Sequence, residues 1–407
     1  MKKISLINCY IGEFPWFFKF FLKSCEFNPT VDFFIFTDNV LDYEVPNNVK
    51  IIPFSLADFN ILATQKLGFT IDINKGYKLC DFKPAYGWLF SDYLQEYDFW
   101  GMTDIDVIYG RIREFMTDEV LDEYDLICVR HDFLTASCML FRNNEYMNSL
   151  FKKSKDYEMV FMSHKNYAFD ENNFECLGMN DKYDILKVNC EVETMQHVIL
   201  KEEDKGNLKS HFDFLICEGT AGKLKWDNGL FSYQGKLEIM LYHLLNYKGN
   251  IFTNNILLWN KVPDVFYIDK HNYRESNSLS TRFTVFFNDH LKPFAWNLSI
   301  RIDKFLSTNL VRKRLKRLDE GDYFYYLSKV KFVIGKNADK SNYLKISDSI
   351  NLQLYQMTFN KGCFVTKEML YIFRFHKDVN GSYNKFDVIG REGHKSTYIK
   401  SENLITS

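Results

Sequence analysis

The chain has 407 residues, 53 acidic against 51 basic side chains and a net charge of −2. That balance excludes bulk electrostatic attraction to nucleic acid or to anionic surfaces, so any such attraction must be local. With 39 Phe, 25 Tyr and only 7 Pro, the composition is that of a large, strand-rich core and not of a disordered or repetitive chain. Nine cysteines include no Cys-x-x-Cys pair, which suits reduced thiols better than a disulfide framework or a zinc site.

The N-terminal stretch "MKKISLINCYIGEFPWFFKFFLKSC" is basic and then apolar, but Asn8, Glu13, Pro15 and Lys19 interrupt it, so it reads as a strand, a turn at Gly12 and a helix. No apolar run approaches the roughly 20 residues a membrane span needs. "VDFFIFTDN" and "NVKIIPFS" come next as strands. Strand, helix, strand, strand predicts an α/β fold with a mainly parallel mixed sheet flanked by helices.

From Lys83 to Tyr97 the spacing of Tyr86, Leu89, Phe90, Tyr93 and Leu94 predicts a helix, and "DFWGMTDID" a buried strand after it. "YDLICVR" and "ASCMLFRNN" read as strands and "NEYMNSLFKKSKDYEMVF" as a helix. "GKLKWDNGLFSYQG" reads as a hairpin turning at Asn228-Gly229, and "KLEIMLYHLLNYKGN" as helical. The expected organisation is a catalytic domain over 1–269, a linker over 270–281 and a C-terminal α+β or helical appendage over 282–407. That appendage opens on a basic amphipathic helix at about 297–318.

Asp104 and Asp106 stand one residue apart where a buried strand finishes, the end at which open α/β sheets bind ligands. Carboxylate oxygens there suit Mg²⁺ or Mn²⁺, and such ions share their remaining positions with substrate phosphates. Alone, Asp-x-Asp is a weak motif, and a solvated loop at a strand end is the commoner account of an arbitrary match. Lys78, Asp81 and Lys83 precede the pair by one helix, and Lys is a point-charge phosphate binder.

The succession "NCYIG", "FTDN", "KLCDFKPAYGWLF", "YDFWGMTDIDVIYG", "ASCMLFRNN" resembles the nucleotide-sugar glycosyltransferases of the GT-A type, a Rossmann-like fold, especially bacterial enzymes that build surface polysaccharides. The resemblance spans about residues 1–260 and is most specific over 77–113. It implies Asp104 and Asp106 in a metal motif, Tyr10, Ile11, Gly12 and Asp38 beside the base and ribose, and Lys78, Asp81 and Lys83 bracketing the donor. It also implies a late histidine as a further metal ligand, for which His243 is available, with Lys248 near the diphosphate. For His243 a structural role stands beside that reading, and for Asp38 an Asx turn.

Transfer with inversion needs a carboxylate to deprotonate the acceptor hydroxyl. Asp170 and Glu171 are the candidates, with a helix-capping pair as the alternative. The expected partners are a nucleotide-diphosphate sugar and a glycan or lipid-linked acceptor, in the cytoplasm, with no nucleic acid. The basic helix either lies on the inner face of the membrane or packs on the catalytic domain with its charges in water. Two rivals are an Asp-x-Asp phosphohydrolase and an inactive protein that only binds nucleotide sugar or glycan.

Overall fold

The computed structural model describes residues 1–309 apart from 42, 177 and 254–258, and beyond them the strand segments and residues 393–394 between 321 and 400. The chain divides into two units, one of Met1–Leu244 with Asn255–Tyr267, the other of Leu245–Asn254 with Ile268–Ser407.

In the first unit the strands are β1 (Ile4–Tyr10), β2 (Val31–Thr37), β3 (Val49–Pro53), β4 (Phe99–Thr103), β5 (Val107–Tyr109), β6 (Leu126–Cys128), β7 (Cys138–Arg142) and β8 (Ser210–Phe212). They continue as β9 (Ile216–Glu218), β10 (Leu224–Asp227), β11 (Leu230–Tyr233), β12 (Leu237–Glu238) and β13 (Leu241–His243). A seven-stranded sheet runs β3-β2-β1-β4-β7-β6-β8. All its neighbours are parallel except that β7 is antiparallel to both β4 and β6. This is the α/β class expected, and the physical reason lies in the strands themselves. β1 and β2 are apolar almost throughout, as strands covered on both faces must be.

Alternation along β2 sends Phe33 to one face, edge-on to Phe21 of the helix Phe18–Glu26. Phe36 goes to the other face and stacks on Phe90 at 4.1 Å between ring centres. The hairpin β10–β11 turns at Asn228 (φ 49°) and Gly229 (φ 90°), two successive left-handed residues that match the twist of its strands.

Three predicted helices take other forms. Residues 76–93 form a 3₁₀ stretch Gly76–Ala85, one α-turn Tyr86–Leu89 and a second 3₁₀ turn Ser91–Tyr93. Pro84 supplies no N–H to a longer helix, and the Trp100 ring crowds the α-turn at Gly87. Tyr86, Leu89, Phe90 and Leu94 are buried as the spacing requires, whereas Tyr93 is 45% exposed. Residues 145–162 break into Glu145–Asn148, a 3₁₀ turn Leu150–Lys153 and Tyr157–Met162. The hydroxyl of Ser149 turns back to the Glu145 carbonyl at the break. The stretch 237–243 is strand, β12 and β13, with a single helical turn Leu245–Lys248 after it.

Gly87 lies so close to Trp100 that an added Cβ would stand 2.3 Å from its Cε2, and Trp100 is fully buried with nowhere to move. Gly87→Ala is expected to lower unfolding free energy by about 1–3 kcal/mol, read from urea melts of unchanged slope. Wild-type stability would mean the ring yields.

The second unit holds one continuous helical rod, Leu279–Phe286, a π-helical turn Phe287–Leu291 and Lys292–Asn309. It also holds a nine-stranded antiparallel sheet between Gly321 and Lys400. Trp296 and Ile300 of the rod join Ile251, Ile372 and Ile389 in its core. The stretch read as a linker contains the strand Tyr273–Arg274 and the first turn of the rod. Of the basic helix expected at about 297–318, residues 310–318 lie outside the described residues; 297–309 are helical. Among the described residues no helix is long and apolar enough to cross a membrane.

Candidate active site

β4 ends at Thr103 and β5 begins at Val107, so the turn Asp104-Ile105-Asp106 carries the chain from the seven-stranded sheet into a smaller one, ordered β5-β13-β9. Its backbone is pinned from several sides. Asn8 of β1 donates to the Thr103 carbonyl, the Asp104 N–H donates to the Ser137 carbonyl at 3.1 Å, and the Leu244 N–H donates to the Asp106 carbonyl at 2.8 Å. The Thr103 and Tyr109 hydroxyls share a hydrogen bond of 2.6 Å beneath it. The two acids are thus held at the carboxyl end of parallel strands.

His243 comes to the same place on β13, directly across from Val107. One ligand atom from each of Asp104, Asp106 and His243 lies within 4.8 Å of the others. An ion with bond lengths of about 2.1 Å needs neighbouring ligands roughly 3–4 Å apart, a closure within reach of side-chain rotation. Two carboxylates and an imidazole are a donor set suited to Mn²⁺ or Mg²⁺. The residues present fit such an ion.

The His243 ring is oriented from behind. Its Nδ1 meets Glu218 Oε1 at 2.9 Å, while Nε2 faces Asp106 Oδ2 at 3.4 Å. Burial works against a charge on this ring, but Asp106 and Glu218 on either side overcome it and lift the pKa to about 10, so an ion held here would displace the Nε2 proton. Arg130 ion-pairs with Glu218 and grips Asp132 through two hydrogen bonds of 2.9 and 2.6 Å. The chain Asp132–Arg130–Glu218–His243 therefore fixes the ring with Nε2 toward the acids.

Of the three donor-bracketing candidates, only Lys83 reaches the acids. Its ammonium donates to Asp104 at 2.6 Å and to the Ala136 carbonyl at 3.1 Å, and stands 4.0 Å from Asp170. Burial would lower its pKa, yet Asp104 and its other anionic neighbours raise it above the ordinary range. Lys78 is consumed by the fold. Its Nζ donates to Asp81, the Val160 carbonyl and the Lys165 carbonyl at 2.6–2.7 Å, and a lysine has three protons to give. Asp81 accepts in turn from the Tyr167 and Phe169 N–H groups at 2.9 and 2.8 Å. Together the pair anchors the segment that delivers Asp170.

That segment is bent hard, with left-handed Ala168, Asn173 and Phe174. It parts the two acidic candidates. Asp170 is buried beside Lys83, and burial pushes its carboxyl well above the ordinary range, with Lys83 opposing. Glu171 accepts from the Ala136 N–H at 2.9 Å and from the Thr135 hydroxyl at 3.3 Å, which ties it to the loop before β7.

Tyr10, Ile11 and Gly12 lie at the end of β1 and just past it, and the Gly12 N–H donates to Asp38 at 2.8 Å, so Asp38 joins the loops after β1 and β2. Lys248 ends the helical turn Leu245–Lys248 in the second unit. Arg142 pairs with Asp125 and caps three carbonyls, and Trp100 and Trp226 are core residues. Sequence reasoning missed Glu218 and Arg130. The one available signal was the alternation in "LICEG", which places Glu218 two residues beyond Ile216 on the same face.

Glu218→Leu is expected to weaken Mn²⁺ binding about 10- to 100-fold, and Glu218→Gln, which keeps an acceptor, less than about tenfold. An Mn²⁺ titration followed by paramagnetic resonance reads both. Equal affinity of the Leu variant and wild type would remove Glu218 from the site.

Residues 6–277 match the Family of unknown function (DUF6625). No curated protein matches the sequence. Among solved structures, the galactosyltransferase LgtC in complex with donor and acceptor sugar analogs is similar with a TM-score of 0.28 and 12% identity, over 51% of this chain and 86% of that one. The apo-form glycosyltransferase GlyE of Streptococcus pneumoniae TIGR4 is similar with a TM-score of 0.26 and 14% identity, over 52% of this chain and 45% of that one. Likenesses of this size are slight.

Proposed function

We propose that this chain, which belongs to the family of unknown function DUF6625, is a metal-dependent glycosyltransferase of the GT-A type. It would move a sugar from a nucleotide-diphosphate donor to a glycan or lipid-linked glycan in the cytoplasm, in the assembly of bacterial surface polysaccharide or glycoconjugate. The observation that carries the reading is the convergence of Asp104, Asp106 and His243 at the carboxyl edge of the parallel strands, with Lys83 and Asp170 beside them.

Asp104, Asp106 and His243 would hold Mn²⁺ or Mg²⁺, which when bound supplies Lewis-acid neutralisation of a departing diphosphate. The residues of the chain do the rest. Glu218 keeps the His243 Nε2 directed at the ion position. Lys83, already charged and buried, exchanges its contact with Asp104 for a phosphate oxygen. Asp170, raised by burial, is the carboxylate able to take a proton from an acceptor hydroxyl. The loops bearing Tyr10, Ile11, Gly12 and Asp38, bound to each other, offer a rim for the base and ribose.

A panel of nucleotide sugars with Mn²⁺, and again with EDTA, tests the reading by thermal shift. A donor at a hundred times its dissociation constant stabilises the folded state by about 2.7 kcal/mol. The expected result is a raised midpoint with one nucleotide class, abolished by EDTA. If no nucleotide sugar or nucleoside diphosphate moves the midpoint, the reading fails. Metal-dependent hydrolysis of simple phosphate esters would favour the phosphohydrolase instead.

A further inference from the structure

The helical rod of the second unit packs Trp296 and Ile300 inward and turns large apolar side chains outward. Phe283 is 69% exposed and Phe294 65%, and Phe286, Phe287, Leu298 and Ile302 are exposed with them. A soluble surface tolerates single apolar residues, but a contiguous row marks a docking face.

The π-helical turn Phe287–Leu291 gives this row its shape. α-Helical residues advance about 100° each, so a uniform helix would carry Ile302 about 140° round the axis from Leu279, off the face. A π turn advances its residues by only roughly 80–85° each, which takes back roughly 80°. Leu279, Phe283, Phe286, Phe294 and Leu298 then share one side of the rod, a straight stripe about 28 Å long. A straight stripe presents all its anchors to a plane at once, which a curved protein groove does not need.

Charge says what kind of plane. Arg282, Lys292 and Arg301 lie along the rod at its surface. Of its two acids, Asp289 is turned to the Lys270 and His271 N–H groups at 3.1 and 2.9 Å, and Asp303 stands beside Lys304 in the sequence beyond the stripe. The sequence after the stripe adds Lys304, Arg312, Lys313, Arg314, Lys316 and Arg317. Aromatic anchors flanked by cations match an anionic bilayer, where the rings enter the headgroup boundary and the cations remain at its surface.

We propose that the outward face of the rod 279–302 docks this protein on an anionic lipid bilayer. The docking is independent of the glycosyltransferase reading and has its own test. The full chain is floated with phosphatidylcholine vesicles, with and without one quarter phosphatidylglycerol. Wild type is expected to float with the anionic vesicles and to be released by high salt. Phe283→Ser, Phe286→Ser and Phe294→Ser together should cut the bound fraction at least about tenfold, with circular dichroism and melting midpoint unchanged because all three rings are exposed.

The proposal is overturned if wild type does not float with anionic vesicles, or if the serine variant floats as well as wild type. It is overturned too if the serines convert a wild-type dimer to monomer in sedimentation while vesicle binding is unaltered, since the face then belongs to a second copy.

Discussion

Asp106→Asn is expected to abolish sugar transfer and to weaken Mn²⁺ binding by at least about a hundredfold, with little change in melting midpoint. The reason is the division of labour at this position. The Asp106 carbonyl accepts from Leu244 and so holds β13 in place, a contact any side chain preserves. The carboxylate faces His243 and the cluster. Asn keeps the shape and removes the negative charge, so the fold persists while the donor set loses one of its two carboxylates. Titration with Mn²⁺ under paramagnetic resonance measures the loss, and a transfer assay in excess EDTA should match the variant. Wild-type affinity in Asp106→Asn would remove the pair from metal chemistry. A failure of Glu218→Leu alone to alter affinity would leave the pair intact and discount only the orientation of His243.

Asp170→Asn and Glu171→Gln are expected to diverge. Burial raises both carboxyls, but Asp170 stands beside Lys83, whereas Glu171 is occupied by Ala136 and Thr135. Loss of a general base costs roughly 10²–10⁴-fold in turnover, which is the expectation for Asp170→Asn. Gln at 171 still accepts from the Ala136 N–H, and a change within about tenfold is expected. The pH profile separates a base from a merely structural acid. A base works deprotonated, so wild-type activity should fall as pH drops through the raised Asp170 value, above the ordinary carboxylate range, and Asp170→Asn should lose that limb. Equal losses in both variants, or a full rate with Asp170→Asn, would oppose an Asp170 base and favour transfer with retention.

The sheet was legible where a strand is apolar on both faces. "KISLINCY", "VDFFIFT" and "FWGMT" have no other way to be buried, and the end of "FWGMT" puts Asp104 and Asp106 at the ligand edge without further information. The stretch 237–243 misled because Leu237, Met240, Leu241 and Leu244 have helical spacing. β13 is a strand because β5 and β9 pair with it on both sides, and pairing with residues far off in the chain leaves no local trace. Lys78 and Lys83 look alike in sequence. The backbone carbonyls of Val160 and Lys165 draw Lys78 inward, and those belong to a later segment. Glu218 and Arg130 serve His243 from distant parts of the chain, outside any motif.

The acids at 104 and 106 close one sheet and the imidazole at 243 belongs to another. Whatever gathers the three therefore rivets the short turn that joins the two sheets to the central strand of the smaller one. Nicking by a protease between Glu218 and Leu244 should slow when the rivet is in place, so the small sheet acts as a gauge of occupancy that needs no sugar, no acceptor and no turnover.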